Sequence, residues 1–89
     1  MDLIKKDGRV QEISILKIRN SILGASIDSK SIINESDLKI VDKRVMKRLE
    51  EIRGKNGVTS SYEVLGIIVE TLKKYGFEKI AIEYLGFNK

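Results

Sequence analysis

The residues with the most chemical potential form a run near the start of the chain, Lys5-Lys6-Asp7-Gly8-Arg9, joined by a further cation at Lys17. Asp7-Gly8 suits a type I′ hairpin turn, because both positions tolerate positive φ. Ser14 is a good helix N-cap, which places Lys17 in the first turn of the helix that follows. Lys5, Lys6, Arg9 and Lys17 are thereby gathered where a hairpin meets a helix N-terminus. Unsatisfied backbone N–H groups at such a terminus attract phosphate, and lysines add point charge. Lys17 also breaks a local rule, since a cation in the first turn opposes the helix dipole at a cost of about 0.3–1 kcal/mol when exposed. Its side chain leans back toward the helix start and so toward the hairpin. Lys5 and Lys6 are neighbours on a strand, so one is expected to grip an anion squarely and the other to reach it from the edge. The same charges also fit a solvated face in a lysine-rich chain, the commoner arrangement, and surface charge alone is a weak signal.

Other chemistries are closed off by what is missing. The 89-residue chain has no histidine and no cysteine. Nucleophilic triads, thiolate metal sites and disulfides are therefore excluded, together with the usual general base. A lysine- or carboxylate-based reaction stays open on composition alone, but the chain reads as a non-enzyme. Its hydrophobic share of 42% is that of a folded protein, and its length suits one small domain spanning residues 1–89. Net charge is +4, which favours anionic ligands without choosing among nucleotides, nucleic acids and membrane surfaces. No stretch has the character of a signal peptide or a membrane span, so a soluble, cytoplasmic protein with no membrane partner is expected.

Residues 3–6 and 9–13 flank the turn as hairpin strands. Helical spacing follows at Ile15, Ile18, Ile22 and Ala25, with an end expected around Gly24 to Asp28. After the polar Ser29-Lys30-Ser31, Asn34 or Ser36 caps a second helix with a buried stripe of Leu38, Val41, Val45, Leu49 and Ile52. Gly54-Lys55-Asn56-Gly57 closes it. Val58-Thr59 is extended and able to add a third strand. Ser60 and Glu63 match a reciprocal capping box for a third helix. Its apolar side is Val64, Leu65, Ile68, Val69 and Leu72, and Gly76 is its left-handed C-cap. A short fourth helix in residues 77–87 turns Ile80, Ala81 and Tyr84 to one face. The expected fold is α+β: an N-terminal β-hairpin, extended to three strands by Val58-Thr59, packed on a four-helix bundle.

Read end to end, the chain resembles the ATP-cone family, the nucleotide-sensing regulatory module of ribonucleotide reductases and of a bacterial repressor. The opening Ile4-Lys5-Lys6-Asp7-Gly8-Arg9, the helix start Ser14-Ile15-Leu16-Lys17-Ile18, and Ser21-Ile22 and Ala25 carry the first half of the likeness. Ser60-Ser61, Val69-Glu70, Leu72, Gly76-Phe77 and Ala81-Ile82-Glu83-Tyr84 carry the second. The resemblance implies an allosteric effector site for ATP or dATP, with magnesium as a companion. It implies that Lys5, Lys6 and Lys17 bind phosphates, that Gln11 and Ser14 make polar contacts to base and sugar, and that Leu3, Ile13, Ile18 and Leu65 form apolar walls. For each of these apolar residues plain core packing is an equal alternative. The implied action is a change of association, either between copies of the chain or with a ribonucleotide-reductase-type catalytic protein. Lys6, Gln11 and Ser14 stand where the family more often has arginine, glutamate and Asp or Asn, and Gly86-Phe87-Asn88-Lys89 replaces an arginine-rich end. These departures motivate an alternative, a degenerate cone serving as an oligomerisation or docking module. A small basic nucleic-acid-binding domain ranks below both, for want of an aromatic stacking platform.

Overall fold

Three side chains start three of the helices. In the computed structural model, which describes residues 1–87, Ser14 caps α1 (Ile15–Ser29), Asn34 caps α2 (Glu35–Arg53) and Ser60 caps α3 (Ser61–Lys74). Each accepts from a backbone N–H of the first turn: Lys17 N–H to Ser14 Oγ at 3.3 Å, Asp37 N–H to Asn34 Oδ1 at 2.8 Å, and Glu63 N–H to Ser60 Oγ at 3.1 Å. Each cap satisfies a donor that the helix itself cannot. A fourth helix, α4 (Glu78–Phe87), follows, and the strands are β1 (Asp2–Ile4), β2 (Val10–Glu12) and β3 (Val58–Ser60). The fold is α+β, as expected. Asn88 and Lys89, the last two of the altered C-terminal positions, lie outside the described residues.

The strands form one mixed sheet in the order β2-β1-β3. β1 runs antiparallel to β2, with Leu3 opposite Gln11, and parallel to β3, with Leu3 also opposite Thr59. Period-two alternation then puts Leu3, Gln11 and Thr59 on the inner face, while Asp2, Ile4, Val10 and Glu12 are exposed outside. Val58-Thr59 thus supplies the third strand. Gly57 is required just before it: a Cβ there would collide with the carbonyl of Arg53 at the end of α2.

The helices close a ring in which α1 touches α2, α2 touches α3, α3 touches α4 and α4 returns to α1. Ile22, Val41, Val45, Leu49, Ile68, Leu72 and Ile80 are fully enclosed between them. Each such side chain contributes roughly 1.5–3 kcal/mol relative to an exposed position. Arg19 on α1 also donates through Nε to Asp42 Oδ2 on α2 at 2.6 Å, and Asp42 is only 1% exposed.

Four details depart from the expectations. The turn is not type I′, because Asp7 does not have positive φ. Gly8 N–H donates to Lys5 O at 2.9 Å, Lys5 N–H to Arg9 O at 2.8 Å, and Gly8 alone takes φ +87°. That is a three-residue loop closed by a left-handed glycine. α1 runs to Ser29, one residue past the range Gly24 to Asp28 expected for its end, and Lys30 at φ +57° makes the left-handed cap. The bonds Lys30 N–H to Ile27 O and Ser31 N–H to Ser26 O terminate it. Ile52 is exposed rather than part of the α2 stripe, since the stripe runs off the core in the last turn. On α3, Ile67 and Thr71 are buried while Leu65 and Val69 are only half-buried. Gly76, at φ +85°, ends α3 as expected.

Candidate functional site

Leu3 and Gln11, paired across β1 and β2, face a cleft of about 420 Å³ between the sheet and the bundle. Helical spacing supplies the opposite side. On α1, Lys17, Ile18 and Ser21 fall at i, i+1 and i+4; on α3, Ser61, Val64 and Leu65 fall at i, i+3 and i+4. Tyr84 of α4 completes the wall, and the hairpin tip brings Lys5, Lys6 and Asp7 to the same cleft. The starts of α1 and α3 both border it, adding the partial positive charge of two helix N-termini to the three ammonium groups. An apolar surface made by Leu3, Ile18, Val64 and Leu65 lies beside that cationic edge. Such a site suits a ligand with a flat, partly apolar body and an anionic tail.

The local chemistry sorts the charges into those that are engaged and those that face the cleft. Asp7 accepts from Arg9 N–H at 3.0 Å and from Arg9 Nε at 2.6 Å. The backbone N–H of Arg9 holds the Asp7 carboxyl below its ordinary range against desolvation, and the Arg9 guanidinium adds to the lowering. Asp7 is therefore a turn staple, and Arg9 is partnered to it rather than lining the cleft with the lysines. The Lys6 ammonium sits over the ring of Tyr62, 5.7 Å from its centroid. At the other side of the cleft, Ser21 Oγ is 2.7 Å from Ile18 O and 2.9 Å from Tyr84 OH. The Ser21 hydroxyl lies within donating reach of the Ile18 carbonyl, and in its contact with Tyr84 either hydroxyl can be the donor. Burial pushes the Tyr84 phenol above its usual range, so it stays neutral.

Seven of the nine residues named from sequence line this cleft: Leu3, Lys5, Lys6, Gln11, Lys17, Ile18 and Leu65. Ile13 and Ser14 do not. Ile13 packs half-buried against the core, and the Ser14 hydroxyl is occupied in capping α1. Lys5, half-buried, and Lys6, exposed, both line the cleft, an arrangement compatible with one lysine facing it and the other reaching it from the edge, and β1 ends at Ile4, so both belong to the turn region. The sequence reading missed Asp7, Ser21, Ser61, Val64 and Tyr84 as lining residues. Helical spacing from Lys17 could have found Ser21, and spacing from Leu65 could have found Ser61 and Val64. No group of three His, Cys, Asp or Glu residues able to hold a metal ion occurs among the described residues. No helix among them is long and apolar enough to cross a membrane.

A family model described as the ATP cone domain matches residues 1–87. A search of curated proteins finds no match to the chain.

Proposed function

The chain belongs to the ATP-cone domain family, a family of nucleotide-sensing regulatory modules, and on that premise we propose that its cleft binds ATP or dATP as an allosteric effector. The convergence of Lys5, Lys6 and Lys17 on one edge of an apolar cleft carries this reading. Phosphates sit at that edge, near the starts of α1 and α3, and the base lies against Leu3, Ile18, Val64 and Leu65. Gln11 and Ser21 supply polar contacts within the cleft. Ser14 acts on the site through α1, by capping the helix that carries Lys17. A magnesium ion arrives with the phosphates and takes its ligands mainly from them.

The module does no chemistry of its own. A nucleotide shifts an equilibrium only by binding its two states unequally. Here α1 and α4 both line the cleft and pack together, while each exposes an apolar side chain, Leu16 and Ile82 respectively. A ligand that changes the seating of α1 against α4 therefore changes a surface available to a partner. That partner is a second copy of the chain or a ribonucleotide-reductase-type catalytic protein.

A thermal-shift panel of ATP, dATP and AMP, run on the parent and on Lys17→Ala, tests the assignment. The parent is expected to melt higher with ATP or dATP, and Lys17→Ala to lose most of that gain. No shift and no titration heat at millimolar nucleotide would sink the idea. Light scattering with and without nucleotide reads the association step, and equal mass in both states favours the docking alternative.

A further inference from the structure

α2 carries its charges in an order that helix stability does not ask for. Acidic residues stand toward both ends, Glu35 and Asp37 in the first turn, Glu50 and Glu51 near the last. Between them come Lys39, Lys43, Arg44, Lys47 and Arg48, and the acid in their midst, Asp42, is enclosed and bonded to Arg19. Lys39 and Lys43, Lys43 and Lys47, and Arg44 and Arg48 are like charges at i, i+4, a spacing that destabilises a helix. Positions in mid-helix gain nothing from the macrodipole, which acts in the first and last turns. Lys39 lies 3.8 Å from Glu35 and Arg48 lies 3.8 Å from Glu51, both long for an ion pair. Lys43, Arg44 and Lys47 make no ion pair among the described residues.

Core packing fixes where these cations stand. Leu38, Val41, Val45 and Leu49 are buried on one side of α2, so Lys43 and Lys47 centre the solvent side, with Lys39 and Arg44 flanking them. Successive lysines of the row rise about 6 Å along the axis, and the row from Lys39 to Arg48 is about 13 Å long. None of the residues lining the cleft belongs to α2, so this face is separate from the nucleotide site.

A continuous polyanion matches the row better than other anionic partners do. Protein interfaces centre on apolar and aromatic side chains and are depleted in lysine, whereas Ile40 is the exposed apolar residue among these cations. A membrane-surface helix sinks its apolar side into lipid, and that side of α2 is already buried in the core. Single strands are held by aromatic stacking, and the tyrosines and phenylalanines lie on α3, on α4 and in the turn between them. A duplex presents one negative charge per about 1.7 Å of its axis and needs only cations to neutralise it. We propose that the outer face of α2 binds the phosphate backbone of a nucleic-acid duplex, without reading its sequence and at a site separate from the cleft.

Fluorescence anisotropy of a labelled DNA duplex of mixed sequence, titrated with the full chain, tests it. Binding is expected to weaken roughly a hundredfold between about 50 and 200 mM salt, as about four phosphate contacts require. Lys43→Glu converts the row of like charges into an alternating one. It is expected to melt no lower than the parent and to bind the duplex about tenfold more weakly at low salt. Lys79→Glu makes the same change of net charge on α4, across the ring from α2, and is expected to bind the duplex like the parent. No binding at low salt, or an equal loss in Lys79→Glu and Lys43→Glu, would overturn the proposal. Poly-glutamate or phosphatidylserine vesicles bound more tightly than the duplex, with the same sensitivity to Lys43→Glu, would assign the face to an acidic protein or a membrane and overturn it too. Calorimetry with ATP is expected to give the same titration for Lys43→Glu and the parent, and a loss of ATP affinity in that variant would contradict a separate site.

Discussion

At the scale of single residues, Glu63 shows how a sequence motif can be right in one half and redirected in the other. Ser60-x-x-Glu63 promised a reciprocal box, and Ser60 does cap α3. The Glu63 carboxylate instead takes a two-pronged bond from Arg53, Nε at 2.9 Å and a terminal nitrogen at 2.8 Å, and a third from Thr59 Oγ1 at 2.7 Å. Arg53 first, then Thr59, hold the carboxyl below its ordinary 4.5. A depressed carboxylate stabilises the fold above the unfolded-state value and loses that contribution as pH falls through the folded-state value. Glu63→Gln is therefore expected to melt below the parent at neutral pH, with the difference closing as the solution is acidified under pH 4.5. A gap that persisted unchanged in acid would contradict this origin. Only the partner was hidden from sequence, since Arg53 lies at the far end of the preceding helix and reaches Glu63 through the turn that Gly57 permits. The candidate site was legible to a similar extent. The lysines were readable locally, but the hairpin register was not, because a two-residue turn at Asp7-Gly8 would pair Lys6 with Arg9 and the three-residue loop pairs Lys5 with it; Tyr84 and Ser21 meet only because α4 packs on α1.

At the scale of elements, helix ends carry the testable content. Lys30 adopts the left-handed region at φ +57°, which costs an L-residue with a Cβ roughly 1–2 kcal/mol. Glycine there relieves the strain and forfeits some unfolded-state entropy, so Lys30→Gly is expected to raise stability by about 1 kcal/mol in urea unfolding. Gly24 does not end α1: its position within the helix leaves open space beside it, and the capping bonds form later, at Ser26 and Ile27, so the helix closes one residue past the expected range of Gly24 to Asp28. The link between α1 and α2 has a different character. Asp42 is enclosed, accepts from Arg19 on one oxygen, and its Oδ1 has no hydrogen-bond partner among the described residues. Arg19→Met is expected to destabilise by roughly 3 kcal/mol by stranding that carboxylate, and Asp42→Leu added to it to recover most of the loss. Equal unfolding midpoints for the single and double variants would argue against the ion pair as the cause.

At the scale of the whole molecule, the helix stripes were legible because 3.6-residue periodicity reports burial directly, and Val41, Val45, Leu49, Ile68 and Leu72 are all enclosed. Leu49→Ala is expected to cost about 2–5 kcal/mol, as cavity-forming substitutions do, without moving the cleft residues. What periodicity could not supply is the order of the sheet. β1 lies in the middle, stitched in parallel to β3, so Asp2 faces Val58 across two intervening helices. Joining partners so distant in the chain carries a loop-closure cost that local helix formation does not, and such pairings tend to form late and open first. The hairpin bearing Lys5 and Lys6 is thus moored by a long-range seam. An effector bridging that hairpin to Lys17 on α1 holds the seam shut, so occupancy is expected to slow hydrogen exchange at the Asp2 amide, bonded to Gly57 O at 3.1 Å, and at Lys5, bonded to Arg9 O at 2.8 Å. Amides deep in α3, which open only with the whole domain, gain just the global increment from binding. The distribution of protection, more than its total, then reports whether the ligand acts as a clasp on the sheet.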